Sequence, residues 1–161
     1  MSEATHSTPR NHRVLPNNFR IEHHVPDLEN YERLIRAVKW TPHTNFEVLP
    51  GALQDVVAGV TAFDGETVIG CALLLGDGVT FFYVKDVMVL PLYQKRGVGT
   101  ALMKELMVIA EEIAPAKALI GLFTGADLQA FYEKFGFQGT EFLCGMSRRI
   151  RKPKTAKKTK S

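Results

Sequence analysis

Short segments in the middle of the chain alternate or cluster apolar residues as β-strands do, and strong turn signals separate them. The turns are Asp64-Gly65 and Gly76-Asp77-Gly78, both typical of hairpins. Because a hairpin reverses the chain, the pattern predicts a meander of three antiparallel strands. The strands are expected at 55–63, 66–75 and 79–90.

Two longer segments carry apolar residues at helical spacing instead. The first follows Asp27, a residue suited to cap a helix N-terminus, and ends before Pro42. The second begins after a glycine-containing turn and stops at Pro115. Their predicted inward-facing residues are Leu28, Tyr31, Leu34, Ile35 and Val38 in the first helix, and Val98, Leu102, Leu106, Ile109 and Ile113 in the second.

Weaker signals predict the remaining elements. They indicate strands at 19–24, 117–123 and 142–150, a short helix at 127–135, and a loop with one helical turn at 44–52. A meander followed by helix, strand, helix and strand is typical of the mixed α/β class. We therefore expect one mostly antiparallel sheet flanked by helices.

Length and composition restrict the class of protein. The 161 residues suit a single domain, 45% of them are apolar, and no run approaches the roughly 18 apolar residues that cross a bilayer. The first residues also lack the apolar block of a secretory signal, so we expect a soluble, cytoplasmic protein without a membrane partner. Two cysteines cannot form a disulfide framework, and neither they nor the five histidines show metal-ligand spacing, so we expect no metal.

The basic residues are unevenly distributed. Residues 148–161 contain eight of the 20 lysines and arginines and none of the 17 acidic residues, so the rest of the chain is acidic. Because this segment has no aromatic residue on which a base could stack, it favours a solvated tail over a nucleic-acid site. We predict a flexible N-terminus over 1–14, one domain over 15–150 and a basic, disordered tail over 151–161.

The turn before the second long helix has the composition of an anion site. The first backbone N–H groups of a helix lack partners, and the helix dipole adds to their attraction for an anion. Gly97 and Gly99 would let a phosphate approach these amides, while Lys95 and Arg96 add positive charge. The alternative is a tight turn without a ligand, and a pair of glycines alone does not decide between the two.

Two well-known phosphate loops fit this turn poorly. The nucleoside-triphosphate loop needs four residues between its glycines and then Lys-Ser or Lys-Thr, and this chain has neither. The dinucleotide fingerprint needs a third glycine where the chain has Leu102, and it needs crossovers where the pattern predicts hairpins. The turn is therefore expected to belong to neither class.

The turn and a second segment together resemble one family. The sequence from Gln94 to Gly99 fits Q/R-x-x-G-x-G/A, and residues 86–106 resemble the signature of the GNAT superfamily, the acyl-CoA-dependent N-acetyltransferases. Residues 130–137, AFYEKFGF, resemble the family's F/L-Y-x-x-x-G-F element, and one helix and one strand separate the motifs as in the family. The resemblance covers about 56–142. It implies an enzyme that moves an acetyl group from acetyl-CoA directly to an amine.

The resemblance also implies where the cofactor binds. In the family, acetyl-CoA lies where two adjacent strands splay apart, the first strand pairs with the pantetheine arm, and the turn amides hold the pyrophosphate. Many relatives have an asparagine that bonds the pantetheine seven positions before the motif tyrosine, but this chain has Gly125, so that contact is not carried over. The implied contacts are Val87, Met88 and Val89 for the pantetheine, and Gln94, Lys95, Arg96, Gly97, Val98, Gly99 and Thr100 for the pyrophosphate.

Two residues are candidates for acid-base catalysis. Tyr132 matches the family tyrosine that often protonates the departing thiolate, and the alternative is an aromatic core residue. Asp86 is the only carboxylate on the predicted cofactor strand. It could bind an ammonium group or relay its proton, or it could be a hydrogen-bonded structural carboxylate.

The sequence does not decide which face of that strand meets the substrate. Strict alternation would place Asp86 on the opposite face from Lys85 and Val87. Tyr83, on the face of Lys85, is a third catalytic candidate, as an alternative to Asp86.

The acceptor is the least defined part of the expected site. The family builds its acceptor pocket partly from the loop after the first helix, here around 40–47, where Trp40 could stack on the acceptor or simply pack. Because the chain outside residues 148–161 is acidic, a small-molecule amine is favoured as the acceptor. The alternatives are a protein amine, an acyl-CoA sensor without turnover, and a nucleic-acid factor that uses the basic tail. The resemblance suggests a homodimer.

Overall fold

The computed structural model describes residues 13–14, 19–139, 145–146 and 148. Within them, six strands form one sheet in chain order, and every neighbouring pair is antiparallel except the last, which is parallel. The predicted mixed α/β class with one mostly antiparallel sheet is confirmed. The strands are β1 (Arg13–Val14), β2 (Arg20–Glu22), β3 (Ala58–Asp64), β4 (Thr67–Gly76), β5 (Phe81–Val89) and β6 (Leu119–Gly121).

Four α-helices in the described part of the chain accompany the sheet, and the two long ones cover opposite faces of it. The predicted N-cap of the first is confirmed, because the Asp27 side chain accepts a hydrogen bond from the Asn30 N–H at 2.8 Å. Of the predicted inward residues of the second long helix, Ile113 is 41% exposed, since it is the last residue of the helix. The helices are α1 (Leu28–Ala37), α2 (Leu49–Ala52), α3 (Val98–Ile113) and α4 (Gln129–Glu133).

The sheet separates two clusters of buried residues. The α3 side contains Val60, Ile69 and Phe82, and the α1 side contains Tyr31 and Leu73. Because helices cover both faces, β4 is buried on both sides, which explains why its sequence is a nearly continuous apolar run. The neighbouring strand β5 is therefore paired with a strand that is buried on both faces.

Several predicted boundaries differ from the structure. The strand predicted at 117–123 pairs only over Leu119–Gly121, and β1 was not predicted. The helix predicted at 127–135 is a 3₁₀ turn at Ala126–Leu128 followed by α4. Most of the strand predicted at 142–150 and the tail at 151–161 lie outside the described residues. No helix in the described part of the chain is both long and apolar enough to span a membrane.

Candidate functional site

The sheet opens between β5 and β6. The two strands pair over only three residues, and the last pair joins Tyr83 to Gly121. From Val84 to Val89, the edge of β5 on the β6 side has no strand partner among the described residues. We call the opening between this part of β5 and the chain after β6 the split. It corresponds to the expected place where two adjacent strands splay apart.

Tyr83 links the two sides where the split begins. Its hydroxyl accepts a hydrogen bond from the Phe123 N–H at 3.1 Å, and the two rings lie 5.7 Å apart. This hydrogen bond joins β5 to Phe123, two residues after the last paired residue of β6, Gly121.

A β-bulge shapes β5 along the split. Cys71 of β4 pairs with Met88, whereas Leu73 pairs with Lys85, so β5 contains one extra residue between these pairs. Asp86 lies in this bulge and has a φ of 53°, in the left-handed region, which aspartate tolerates better than most residues. The extra residue changes the direction in which the following side chains point.

Strict alternation along this strand is therefore a wrong prediction. Val87 packs against the α3-side core, Met88 lies in the α1-side core, and Asp86 contacts Tyr31 of α1. Lys85 and Asp86, although adjacent in sequence, both reach the α1 side and form an ion pair. The bulge thus puts Asp86 on the face that the sequence assigned to Lys85.

Hydrogen bonds hold Asp86 by its side chain and by its backbone. The Tyr31 hydroxyl and the Lys85 ammonium both donate to Oδ2 of Asp86, and Lys85 Nζ also donates to the Tyr31 hydroxyl at 2.9 Å. The Cys71 thiol donates to the Asp86 carbonyl at 3.6 Å. Burial, and next the Asp86 carboxylate, raise the pKa of Tyr31 and of Cys71, so both remain protonated donors.

The turn after β5 ends in a helix N-terminus that no side chain of the described residues caps. The Gln94 amide donates to the Val89 carbonyl at 3.0 Å and so fixes the turn to the end of the strand. Gly97 adopts a φ of 84°, and the first helical hydrogen bond runs from Ala101 N–H to its carbonyl at 3.0 Å. The N–H groups that precede this bond at the start of α3 lack helical partners, and they form a donor set suited to an anion.

The two glycines of the turn have different surroundings. A Cβ atom at Gly97 would meet no atom within 4 Å, so glycine is needed there for its left-handed backbone. A Cβ atom at Gly99 would lie 3.7 Å from both Phe131 Cζ and Val89 Cγ2, an ordinary contact. Gly99 therefore lies between the end of β5 and α4, where a methyl group fits.

The other predicted turn residues fall into different environments. The Arg96 guanidinium stacks over Phe19 at 5.1 Å and over Tyr93 at 5.5 Å. The first contact anchors the turn to the residue that precedes β2. Lys95 is exposed, with a φ of 59°. The Val98 side chain is buried in the core and Thr100 is half-buried, so the contribution of Val98 to an anion site is limited to its main chain.

Tyr132 combines a buried ring with an unpaired hydroxyl. The residue is 9% exposed, and its ring lies edge-on against Phe131 at 5.0 Å and Phe137 at 6.2 Å. Its hydroxyl has no hydrogen-bond partner among the described residues. Burial, followed by the nearby Tyr83, raises the pKa of Tyr132, so the phenol is protonated at neutral pH. The ring is thus part of the core, and the hydroxyl is available to a ligand.

Sequence reasoning missed two members of this site. Tyr31 was predicted only as an inward-facing helix residue, and Lys85 was noted only for its place in the strand pattern. Helical spacing correctly pointed Tyr31 into the protein, but only the fold reveals that Asp86 lies opposite it. Trp40, predicted near the acceptor, is 40% exposed. No cluster of three His, Cys, Asp or Glu side chains suited to a metal occurs in the described ranges.

Comparison with known proteins identifies the family. Residues 57–139, just over half of the chain, match the GNAT acetyltransferase domain. A GNAT-family acetyltransferase from Streptococcus pneumoniae is 33% identical over 83% of this chain and 99% of its own, with a TM-score of 0.69. The chain therefore belongs to the GNAT acetyltransferase family, as its motifs predicted. Comparison with curated protein sequences finds no match.

Two further solved structures share the architecture. A protein of unknown function from meticillin-resistant Staphylococcus aureus is 26% identical, covers 82% of this chain and 99% of its own, and has a TM-score of 0.74. The aminoglycoside N-acetyltransferase AAC(6')-Iy, in complex with the bisubstrate analogue CoA-S-monomethyl-acetylneamine, is 21% identical over 82% of this chain and 99% of its own, with a TM-score of 0.60. At that identity, the second likeness is one of fold.

Proposed function

We propose that this protein transfers an acetyl group from acetyl-CoA directly to a small-molecule amine. One observation carries the proposal: an uncapped helix N-terminus, opened by Gly97, lies directly after the unpaired edge of β5. An unpaired strand edge offers hydrogen bonds to an extended amide-containing arm, and helix amides offer them to a diphosphate. Family membership supports acyl transfer as the reaction.

The residues present fit coenzyme A at both ends. The main chain of Val87, Met88 and Val89 would pair with the pantetheine arm, and the segment from Gln94 to Thr100 would hold the diphosphate. Most of these contacts are main-chain, so Gln94 and Arg96 serve mainly by fixing the turn through their bond to Val89 and their stacking on Phe19. Bound acetyl-CoA would supply an activated thioester, and no metal is needed for that chemistry.

Tyr132 and Asp86 would move the protons. The Tyr132 hydroxyl is protonated at neutral pH and has no partner among the described residues, so it can hydrogen-bond to the departing sulfur and donate its proton as the C–S bond breaks. An alkylamine is mostly protonated near neutrality and must lose a proton before it can attack. The Asp86 carboxylate, on the strand that borders the split, would accept that proton directly or through water.

The acceptor class rests on charge. The chain outside residues 148–161 is acidic, which suits a cation. A cytoplasmic location and a homodimer remain predictions. A sensor without turnover is the second candidate, because Gly125 replaces the asparagine that the family resemblance led us to expect.

A thiol-release assay tests the proposal. Acetyl-CoA is incubated with the protein and with spermidine, kanamycin, tryptamine, lysine or a lysine-containing peptide, and free thiol is followed over time. We expect release that depends on one of the small amines. Release with the peptide alone would instead support a protein acceptor, and binding of coenzyme A without any release would support the sensor. Absence of both binding and release would contradict the proposal.

A further inference from the structure

The Asp86 carboxylate is held by one oxygen only. Both side-chain donors, the Tyr31 hydroxyl and the Lys85 ammonium, bind Oδ2. Oδ1 has no hydrogen-bond partner among the described residues. No buried side-chain oxygen of the described residues is left without a partner, so Oδ1 remains in contact with solvent, in keeping with the 15% exposure of the side chain. The two oxygens therefore differ: one is fixed and the other is accessible.

The fixed oxygen is anchored to a buried side chain of α1. Tyr31 is completely buried in α1, and Lys85 donates to its hydroxyl as well as to Asp86, so the three side chains form a closed ring of hydrogen bonds. The Cys71 thiol fixes the backbone carbonyl of the same residue from β4. A carboxylate held in this way has little freedom to rotate, and its free oxygen points in one direction.

We propose that Tyr31 and Lys85 are positioning residues for acyl transfer, which hold Oδ2 of Asp86 and leave Oδ1 to take the proton of the acceptor amine. This inference rests on the proposed function. Neither side chain has to touch the reacting atoms, because both act through Asp86. Loss of either donor would leave the carboxylate in place but free to rotate, and misplacement of a catalytic group lowers kcat with little effect on cofactor binding.

The test is a set of single and double variants assayed with acetyl-CoA and the fastest amine of the thiol-release panel. Tyr31→Phe and Lys85→Met each remove one donor and keep most of the side-chain volume. Each should lower kcat by about ten- to a hundredfold, as misplaced catalytic groups do. Calorimetric affinity for coenzyme A should stay within about twofold, because the turn amides are untouched.

Combination with Asp86→Asn separates positioning from a general structural role. If Tyr31 and Lys85 act through Asp86, adding either change to Asp86→Asn should lower kcat no further. Two matched controls should keep wild-type kcat. Thr61→Val removes another buried hydroxyl, which donates to the His24 carbonyl at 2.7 Å, and Lys104→Met removes an exposed lysine of α3.

The outcomes are distinguishable. If the wild-type protein releases no thiol with any amine, the proposed function has failed and this inference fails with it. If the wild type is active but Tyr31→Phe and Lys85→Met match their controls, only the inference is overturned. Equal losses in the wild-type and Asp86→Asn backgrounds would also overturn it. Should Tyr31→Phe fail to fold, as judged by circular dichroism, Lys85→Met decides alone.

Discussion

Replacement of Gly97 by alanine isolates the backbone requirement of the proposed diphosphate site. Gly97 has a φ of 84°, and an added Cβ atom would meet nothing within 4 Å. The substitution therefore creates no clash, and its whole effect comes from the left-handed backbone. For a residue with a Cβ atom, that conformation costs roughly 1–2 kcal/mol.

The strained turn has two ways to respond, and both are measurable. If alanine keeps the left-handed conformation, the free energy of unfolding falls by about 1–2 kcal/mol. If the turn relaxes, the amides at the start of α3 lose their alignment with the diphosphate. Each hydrogen bond to a charged group contributes about 1.5–3 kcal/mol, so the loss of one such bond weakens coenzyme A binding by about ten- to a hundredfold.

Gly99→Ala is the matched control two residues along the chain. Its Cβ atom would make ordinary contacts of 3.7 Å, and the backbone is already helical. Stability should be unchanged or higher by up to about 1 kcal/mol, since alanine favours helix over glycine. Gly99→Ala is a control for stability alone, because Gly99 itself belongs to the turn that is proposed to hold the diphosphate.

Urea unfolding and titration calorimetry with coenzyme A measure the two quantities for both variants. We expect Gly97→Ala to lose stability, affinity or both, whereas Gly99→Ala keeps its stability. The reasoning is refuted if Gly97→Ala binds coenzyme A with wild-type affinity and unfolds at the wild-type urea concentration. It is equally refuted if Gly99→Ala loses more stability than Gly97→Ala.

Three other changes test separate parts of the structure. Tyr132→Phe should lower kcat by about a hundredfold, with calorimetric affinity for coenzyme A unchanged, if its hydroxyl is the general acid; equal rates would make it a core residue only. The Phe81 N–H at the start of β5, and after it the other donors of the turn, lower the pKa of Asp77. The Asp77 carboxylate therefore stabilises the fold above pH 3.8, and this stabilisation is lost as the pH falls below that value. The gap between the urea midpoints of wild type and Asp77→Asn should therefore narrow as the pH falls from 5 towards 2, and a constant gap would contradict this assignment. Gly70→Ala places a Cβ atom 2.6 Å from the Met88 carbonyl oxygen and should lower the free energy of unfolding by about 1–3 kcal/mol, whereas Gly51→Ala, with open space around it, should not.

Much of the framework could be predicted because local patterns determine it. Hairpin turns at Asp64-Gly65 and after Gly76 fixed the order of β3, β4 and β5, and helical spacing located α1 and α3. The proposed cofactor turn was also visible, because a left-handed glycine before a helix leaves a sequence signature. These features depend on residues that are neighbours along the chain.

The details of the proposed catalytic site depend on contacts that are distant in sequence. The bulge at Asp86 appears only when β5 is paired with β4, since one extra residue in a strand has no composition of its own. The contact of Tyr31 with Asp86 spans 55 residues and follows from how α1 packs on the sheet. Alternation therefore gave the wrong face for Asp86, and the role of Tyr31 could not be found by periodicity.

A crystal structure of the protein with acetyl-CoA tests the central claim most directly. We predict that the diphosphate oxygens lie about 2.7–3.2 Å from the amide nitrogens between Gly97 and Thr100. We also predict that the thioester lies in the split, with its sulfur near the Tyr132 hydroxyl and its acyl carbon on the side of Asp86 Oδ1. A diphosphate bound elsewhere on the protein, or a thioester remote from both side chains, would contradict the account.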